Sequence, residues 1–142
     1  MALTLADIGA DAVLKRYFNS TAPGGGNNLT LKLFTSNTTP ADTDTAATYT
    51  EATGGGYAAK TLTNGSWTIT IGNDPSDAVY AQQTWTFTGQ LSGGASIYGY
   101  YVVDADAVLI WVERFGAAFT PQQNGDQLLV TPKFQISKGT PS

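Results

Sequence analysis

The sequence predicts an all-β domain, an antiparallel β-sandwich of jelly-roll-like topology carrying one short N-terminal helix, and three observations support that prediction. Residues 97–115, IYGYYVVDADAVLIWVERF, read as two apolar strands folded about a short acidic turn, with β-branched and aromatic residues at nearly every position. Short stretches of period-2 alternation recur along the chain between Gly, Pro, Asn and Asp turns, giving about seven strands. Helical spacing of apolar residues is convincing only at the N-terminus.

The helix is read over the first twenty residues, where Ala10, Val13, Leu14, Tyr17 and Phe18 share one face. Thr4 with Asp7 three residues later resembles a capping box. Asp7 and Asp11 sit near the positive end of the helix dipole, Lys15 and Arg16 near the negative end, and Asp11 and Lys15 are spaced as an i, i+4 pair. This segment, residues 1–20, is either a lid over one end of the β-core or an arm that packs on a neighbouring subunit. Pro23-Gly24-Gly25-Gly26-Asn27-Asn28 then breaks the chain, and a β-sandwich domain is expected over residues 29–137.

In residues 29–34, Leu29, Leu31 and Leu33 alternate with Thr30, Lys32 and Phe34, which predicts a half-buried strand. Residues 36–50 are polar and are read as a long surface loop. Gly54-Gly55-Gly56, read as a flexible turn, precedes an alternating stretch at 57–62. Trp67, Ile69 and Ile71 then alternate with Ser66, Thr68 and Thr70 before the turn Gly72-Asn73-Asp74-Pro75, and Trp85 and Phe87 alternate with Thr84, Thr86 and Thr88. The threonine faces are expected to be wet. After the 97–115 hairpin, Asn124-Gly125 turns the chain into a final strand at 127–137. Pro132 cannot donate a ladder hydrogen bond, so that strand belongs at a sheet edge or a subunit contact.

The 142 residues suit one domain with a real core. Cys and His are both absent, which removes the commonest nucleophile, the commonest general base and the usual zinc and copper ligands. The reading is therefore of a non-enzyme, with no catalytic, cofactor-binding or metal-binding residues assigned and no small-molecule substrate. Net charge is −4 and the seven Lys and Arg are scattered, which argues against nucleic-acid binding. No window approaches a membrane span and no secretory signal is evident, so the expectation is a chain that is not exported.

Glu51 and Glu113, the two glutamates, could form a glycosidase carboxylate pair, but Glu113 beside Arg114 is more simply a rim ion pair and Glu51 a loop residue. Asp42 with Asp44, Asp74 with Asp77 and Asp104 with Asp106 could offer oxygens to Ca²⁺, yet none has EF-hand spacing, and Asp104-Ala105-Asp106 is better explained as turn chemistry. Neither triple-glycine run is followed by the Lys and Ser/Thr of a P-loop. Asn19, Asn28, Asn37 and Asn64 match the glycosylation pattern but are read as polar surface. The tryptophans and tyrosines are read first as core and second as a sugar platform.

The runs LTLKLFTSNTTPADTDT, YTEATGGGYAAKTL, TWTFTG, IYGYYVVDA, LIWVERF and NGDQLLVTPKFQIS, spanning residues 29–137, resemble a family of small β-sandwich structural proteins of tailed bacteriophages, the capsid decoration or cement proteins. The resemblance implies a virion protein that stabilises the icosahedral head by bridging major capsid subunits. It also implies a homotrimer and assembly in the cytoplasm of the host bacterium. Many weak contacts made by one trimer would then sum to firm retention. Two other classes stay open: a receptor- or glycan-binding module of a tail or head fibre, with residues 36–50 and exposed aromatics on the sugar, and a glycan-degrading enzyme using Glu51 and Glu113.

Overall fold

The computed structural model of the chain describes residues 3–9, 28–70 and 76–136. Ten strands lie among them: β1 (Leu3–Leu5), β2 (Leu29–Phe34), β3 (Lys60–Leu62), β4 (Thr68–Thr70), β5 (Ser76–Val79), β6 (Gln83–Thr86), β7 (Ile97–Val103), β8 (Leu109–Phe119), β9 (Gln127–Val130) and β10 (Lys133–Ile136). All pair antiparallel, in a five-stranded sheet ordered β1-β8-β7-β2-β3, a three-stranded sheet β10-β5-β4 and a two-stranded sheet β6-β9. The all-β antiparallel class is as the sequence predicts. The jelly-roll topology is a finer matter, and this strand order does not establish it.

The centre of the large sheet is the β7–β8 hairpin, and its near-continuous apolar run has a direct cause: both faces are covered. On the inner face, Leu31, Leu33, Tyr100, Val102 and Trp111 share one core with Trp85 of β6, Phe87 and Val130 of β9, so the smaller sheets pack against the large one. The Trp67 and Phe134 rings close on Trp111, with centroids 6.1 and 5.4 Å away. On the outer face, Phe34, Tyr101, Val103, Leu109 and Val112 form a second core with Ala6 and Tyr49. Fully buried Leu and Phe side chains such as Leu31, Leu33 and Phe34 each contribute about 1.5–3 kcal/mol of transfer free energy. The strand expected to be half buried is therefore buried on both sides, because residues after it fold back over Phe34.

Two irregularities shape β8. Val102 pairs with Trp111 and Val103 with Leu109, leaving Ile110 as an inserted residue. This β-bulge puts the consecutive side chains of Ile110 and Trp111 into the same inner core, which strict alternation forbids. The bulged backbone also receives residues 6–9: Ala6 N–H donates to the Ile110 carbonyl at 3.3 Å, and a Cβ on Gly9 would lie 2.3 Å from that oxygen. A second shift lies between the pairs Ile97–Phe119 and Gly99–Arg114.

The sequence reading needs correction at several elements. Leu3–Leu5 is a strand on the edge of β8, so Thr4 does not cap a helix, and helical backbone begins only at Asp7. The rest of the predicted helix, residues 10–20, the first triple-glycine run and the turn at 72–75 lie outside the described residues. Of the stretch 57–62 only Lys60–Leu62 is a strand, since Tyr57 is turned to other use. Ser76–Val79 forms a strand that its sequence, SDAV, does not announce. The last strand is two strands: β9 pairs with β6 and β10 with β5, and the break falls at Thr131-Pro132, where a donor is missing. Both are terminal in their sheets, as expected of a segment with proline. Alternation survives the break, with Val130 and Pro132 buried while Thr131 is exposed.

Candidate functional site

Several polar groups of residues 35–52 fasten that loop onto the outer face. Tyr49 is buried against Phe34 and Tyr101, with ring centroids at 4.9 and 5.6 Å, and its hydroxyl donates to Asp44 Oδ2, which also accepts the Ala41 N–H at 2.8 Å. Burial and the Asp44 carboxylate both push the Tyr49 hydroxyl well above the ordinary tyrosine range. A single helical turn at Ala46–Thr48 sets the approach of that ring. A run expected to have too little apolar content to bury thus buries one aromatic.

Arg114 clamps the start of the same loop. Its guanidinium donates to the Thr38 carbonyl at 2.8 Å and to Asn37 Oδ1, and lies 5.2 Å from the Tyr98 ring centroid. The expected Glu113–Arg114 ion pair is therefore not formed. Adjacent residues of a strand point to opposite faces, so Glu113 turns inward and accepts a hydrogen bond from the Tyr100 hydroxyl. Burial, more than Glu113, drives the Tyr100 hydroxyl strongly upward; approaches from Trp111 and from the Lys133 backbone partly offset it. Trp111 Nε1, fully enclosed, approaches that hydroxyl without satisfying the geometry of a hydrogen bond.

Glu51 occupies the far edge of the sheet, bridging to Phe34. Its carboxylate takes Lys32 Nζ at 2.9 Å and the Tyr57 hydroxyl at 3.1 Å, and that hydroxyl in turn accepts the Leu33 N–H at 3.1 Å. Tyr57 thereby completes the edge of β2 where β3 stops. Burial raises the Tyr57 hydroxyl above its ordinary range, and burial with the Glu51 charge pushes Tyr101 up to about 12.

These placements separate the two glutamates. Glu51 neighbours Phe34, Phe34 pairs with Gly99, and Gly99 with Arg114, so the backbones that carry the two glutamates are three ladder steps, about 14 Å, apart, and the side chains leave opposite faces of the sheet. The glycosidase geometries require a much closer pair facing one substrate, and this pair cannot supply it.

Asp104, Asp77 and Asp126 are likewise occupied. Asp104 Oδ1 accepts the N–H groups of Asp106 and Val108, each at 2.9 Å, and holds the tip of the β7–β8 hairpin, where Ala107 takes φ 61°. Turn chemistry is thus what Asp104 performs. Asp77 takes Gln135 Nε2 at 2.7 Å and Lys133 Nζ at 3.2 Å; its proposed partner Asp74 lies outside the described residues. The Gln135 hydrogen bond is the main cause that lowers its pKa. Asp126 accepts the N–H groups of Gln122 and Gln123, which depress its pKa. Among the described residues no three His, Cys, Asp or Glu groups converge to hold a metal.

Gly54-Gly55-Gly56 is a built turn rather than a loose one. All three have positive φ, 78°, 57° and 77°, and a Cβ on Gly55 would meet the Gly89 carbonyl at 2.7 Å. The Asn28 and Asn37 amides accept hydrogen bonds from Asn64 N–H and Arg114, so these two sequence matches to the glycosylation pattern carry structural contacts. The wet threonine faces are present, with Thr84 and Thr86 exposed on either side of buried Trp85. Trp85 is held by a hydrogen bond to the Ala58 carbonyl at 2.8 Å and lies under Lys60. No aromatic ring is exposed among the described residues; the large exposed apolar side chains are Ile8, Leu129 and Ile136. No helix of the described residues is long and apolar enough to cross a membrane, which leaves β-barrels aside.

What sequence reasoning missed here is partnership. Arg114 reaching Thr38 spans 76 positions, and no local spacing signals it. Tyr49, the lone ring in a run of Thr, Asp and Ala, was the one available sign that the loop is anchored. Comparison with protein-family models, with curated proteins and with solved structures finds no match to this chain.

Proposed function

We propose that the chain is a structural protein of a bacteriophage virion, a capsid decoration or cement subunit that bridges major capsid proteins, acting as a homotrimer on the head. The observation that carries this reading is what the reactive side chains do: Arg114, Glu51, Glu113, Asp44 and Asp104 each secure a loop, an edge or a turn. A domain whose ionisable groups are spent on rigidity suits a passive clamp with a fixed outline. The sequence resemblance over 29–137 supplies the class of partner. A glycan-binding reading has no exposed aromatic ring to use as a stacking platform among the described residues.

The test is reconstitution. The purified full chain is added to heads assembled without it, and both co-sedimentation and resistance of the heads to heat or chelator are measured. Saturable binding that raises the disruption temperature is expected. No binding to heads, or binding that leaves their stability unchanged, overturns the proposal.

A further inference from the structure

The chain contains two Asn-Gly dipeptides in turns, Asn64-Gly65 and Asn124-Gly125, and all four residues are exposed. Asparagine followed by glycine is prone to a known self-reaction, because glycine offers no side chain to hinder its own backbone nitrogen. That nitrogen, having given its proton to solvent base, attacks the asparagine Cγ. A new N–Cγ bond closes a succinimide, the Cγ–Nδ2 bond breaks, and Nδ2 leaves as ammonia after taking up a proton. Water then opens the ring: cleavage at Cγ yields aspartate, and cleavage at the backbone carbonyl yields isoaspartate. The net change is one water consumed and one ammonia released, with no oxidant or reductant.

The two turns differ at the attacking atom. Gly125 N–H donates to the Phe87 carbonyl at 2.8 Å, so its nitrogen is held in a hydrogen bond that discourages loss of the proton and fixes its direction. The turn around it is further locked by Asp126, whose carboxylate accepts Gln122 N–H at 2.7 Å and Gln123 N–H at 3.1 Å. In the other turn the hydrogen bonds fall on the neighbours: Asn64 N–H donates to Asn28 Oδ1 at 2.8 Å and Ser66 N–H to the Thr63 carbonyl at 3.2 Å. Gly65 N–H and the Asn64 side-chain amide have no hydrogen-bond partner among the described residues.

We infer that Asn64 is a site of spontaneous deamidation in the folded protein and that Asn124, in the same dipeptide, is protected by the fold. Conversion adds a carboxylate next to Asn28, where β2 begins. The isoaspartate product also lengthens the backbone of the turn leading from β3 to β4.

The experiment is peptide mapping by mass spectrometry of the full chain incubated in mildly alkaline buffer, folded and in concentrated urea. In the folded protein Asn64 is expected to convert roughly five- to tenfold faster than Asn124, the factor that one retained hydrogen bond gives. In urea, where that bond is gone, the two rates should become comparable. Conversion at Asn124 as fast as at Asn64 in the folded chain overturns the inference. So does a rate ratio that urea leaves unchanged, or a folded chain in which Asn64 stays intact while urea converts both sites.

Discussion

Gly99 is where the packing of the central hairpin is tightest, and replacing it with alanine should be severe. It lies in the middle of β7, between Phe34 on β2 and Arg114 on β8. A Cβ there would lie 2.2 Å from the Glu113 carbonyl oxygen and 2.6 and 2.7 Å from Cε1 and Cζ of Phe34. The ring could turn aside, but the carbonyl belongs to the ladder of the two central strands and cannot move without breaking it. In an open strand, Gly→Ala would gain about 0.5–1 kcal/mol from backbone entropy. Overpacking a core costs about 1–3 kcal/mol and occasionally more, and the backbone clash places Gly99→Ala at the upper end, a net loss of about 3 kcal/mol. For a chain of this length that lowers Tm by roughly 10 °C. Gly116 on the neighbouring strand β8 serves as the control, since a Cβ there meets nothing within 4 Å. Gly116→Ala should stay within about 0.5 kcal/mol of the parent. Urea unfolding followed by tryptophan fluorescence reads both. A Gly99→Ala variant within about 0.5 kcal/mol of the parent, or a Gly116→Ala variant that loses as much as Gly99→Ala, refutes the packing described for the hairpin.

Other expectations follow from the same contacts. Asp104→Ala removes the acceptor for two backbone N–H groups and should cost about 1–3 kcal/mol, with Asp104→Asn recovering much of it; equal losses for both would count against the turn role. Arg114→Ala should speed amide exchange at residues 37–50 and cost about 1 kcal/mol, and unchanged exchange there would show that the clamp is idle. Tyr49, Tyr57, Tyr100 and Tyr101 all have pKa values raised by burial, Tyr101 to about 12. Tyrosine is neutral when protonated, so the fold holds these protons more tightly than the unfolded chain does. The resulting stabilisation is complete below about pH 10 and falls as pH climbs through about 12. Absorbance titration should show part of the seven tyrosines ionising only as the chain unfolds; all seven ionising together near pH 10 in folded protein would contradict it.

Strands that bury both faces were the most legible in the sequence. The β7–β8 hairpin and Leu29–Phe34 carry enough β-branched, aromatic and leucine residues for periodicity and composition to agree. Elements whose stability comes from distant partners were hidden. Ser76–Val79 has only Ala78 and Val79 as apolar residues, too short a run to announce itself, and is a strand because β4 and β10 flank it. Leu3–Leu5 is too short to compete with the helical pattern that follows it, and its pairing with β8 lies more than a hundred positions away. Thr131-Pro132 looked like a tolerated flaw in one strand, whereas the missing donor is where the chain passes from one sheet to the next. At the candidate site the separation of Glu113 from Arg114 follows from strand alternation and could have been foreseen; the clamp on Thr38 could not.

The proposed role is tested most directly by counting this chain in purified particles and locating it by electron cryomicroscopy. A decoration subunit should be present in many copies, ordered as trimers over the capsid lattice. A handful of copies per particle, or density confined to the tail, would contradict that role.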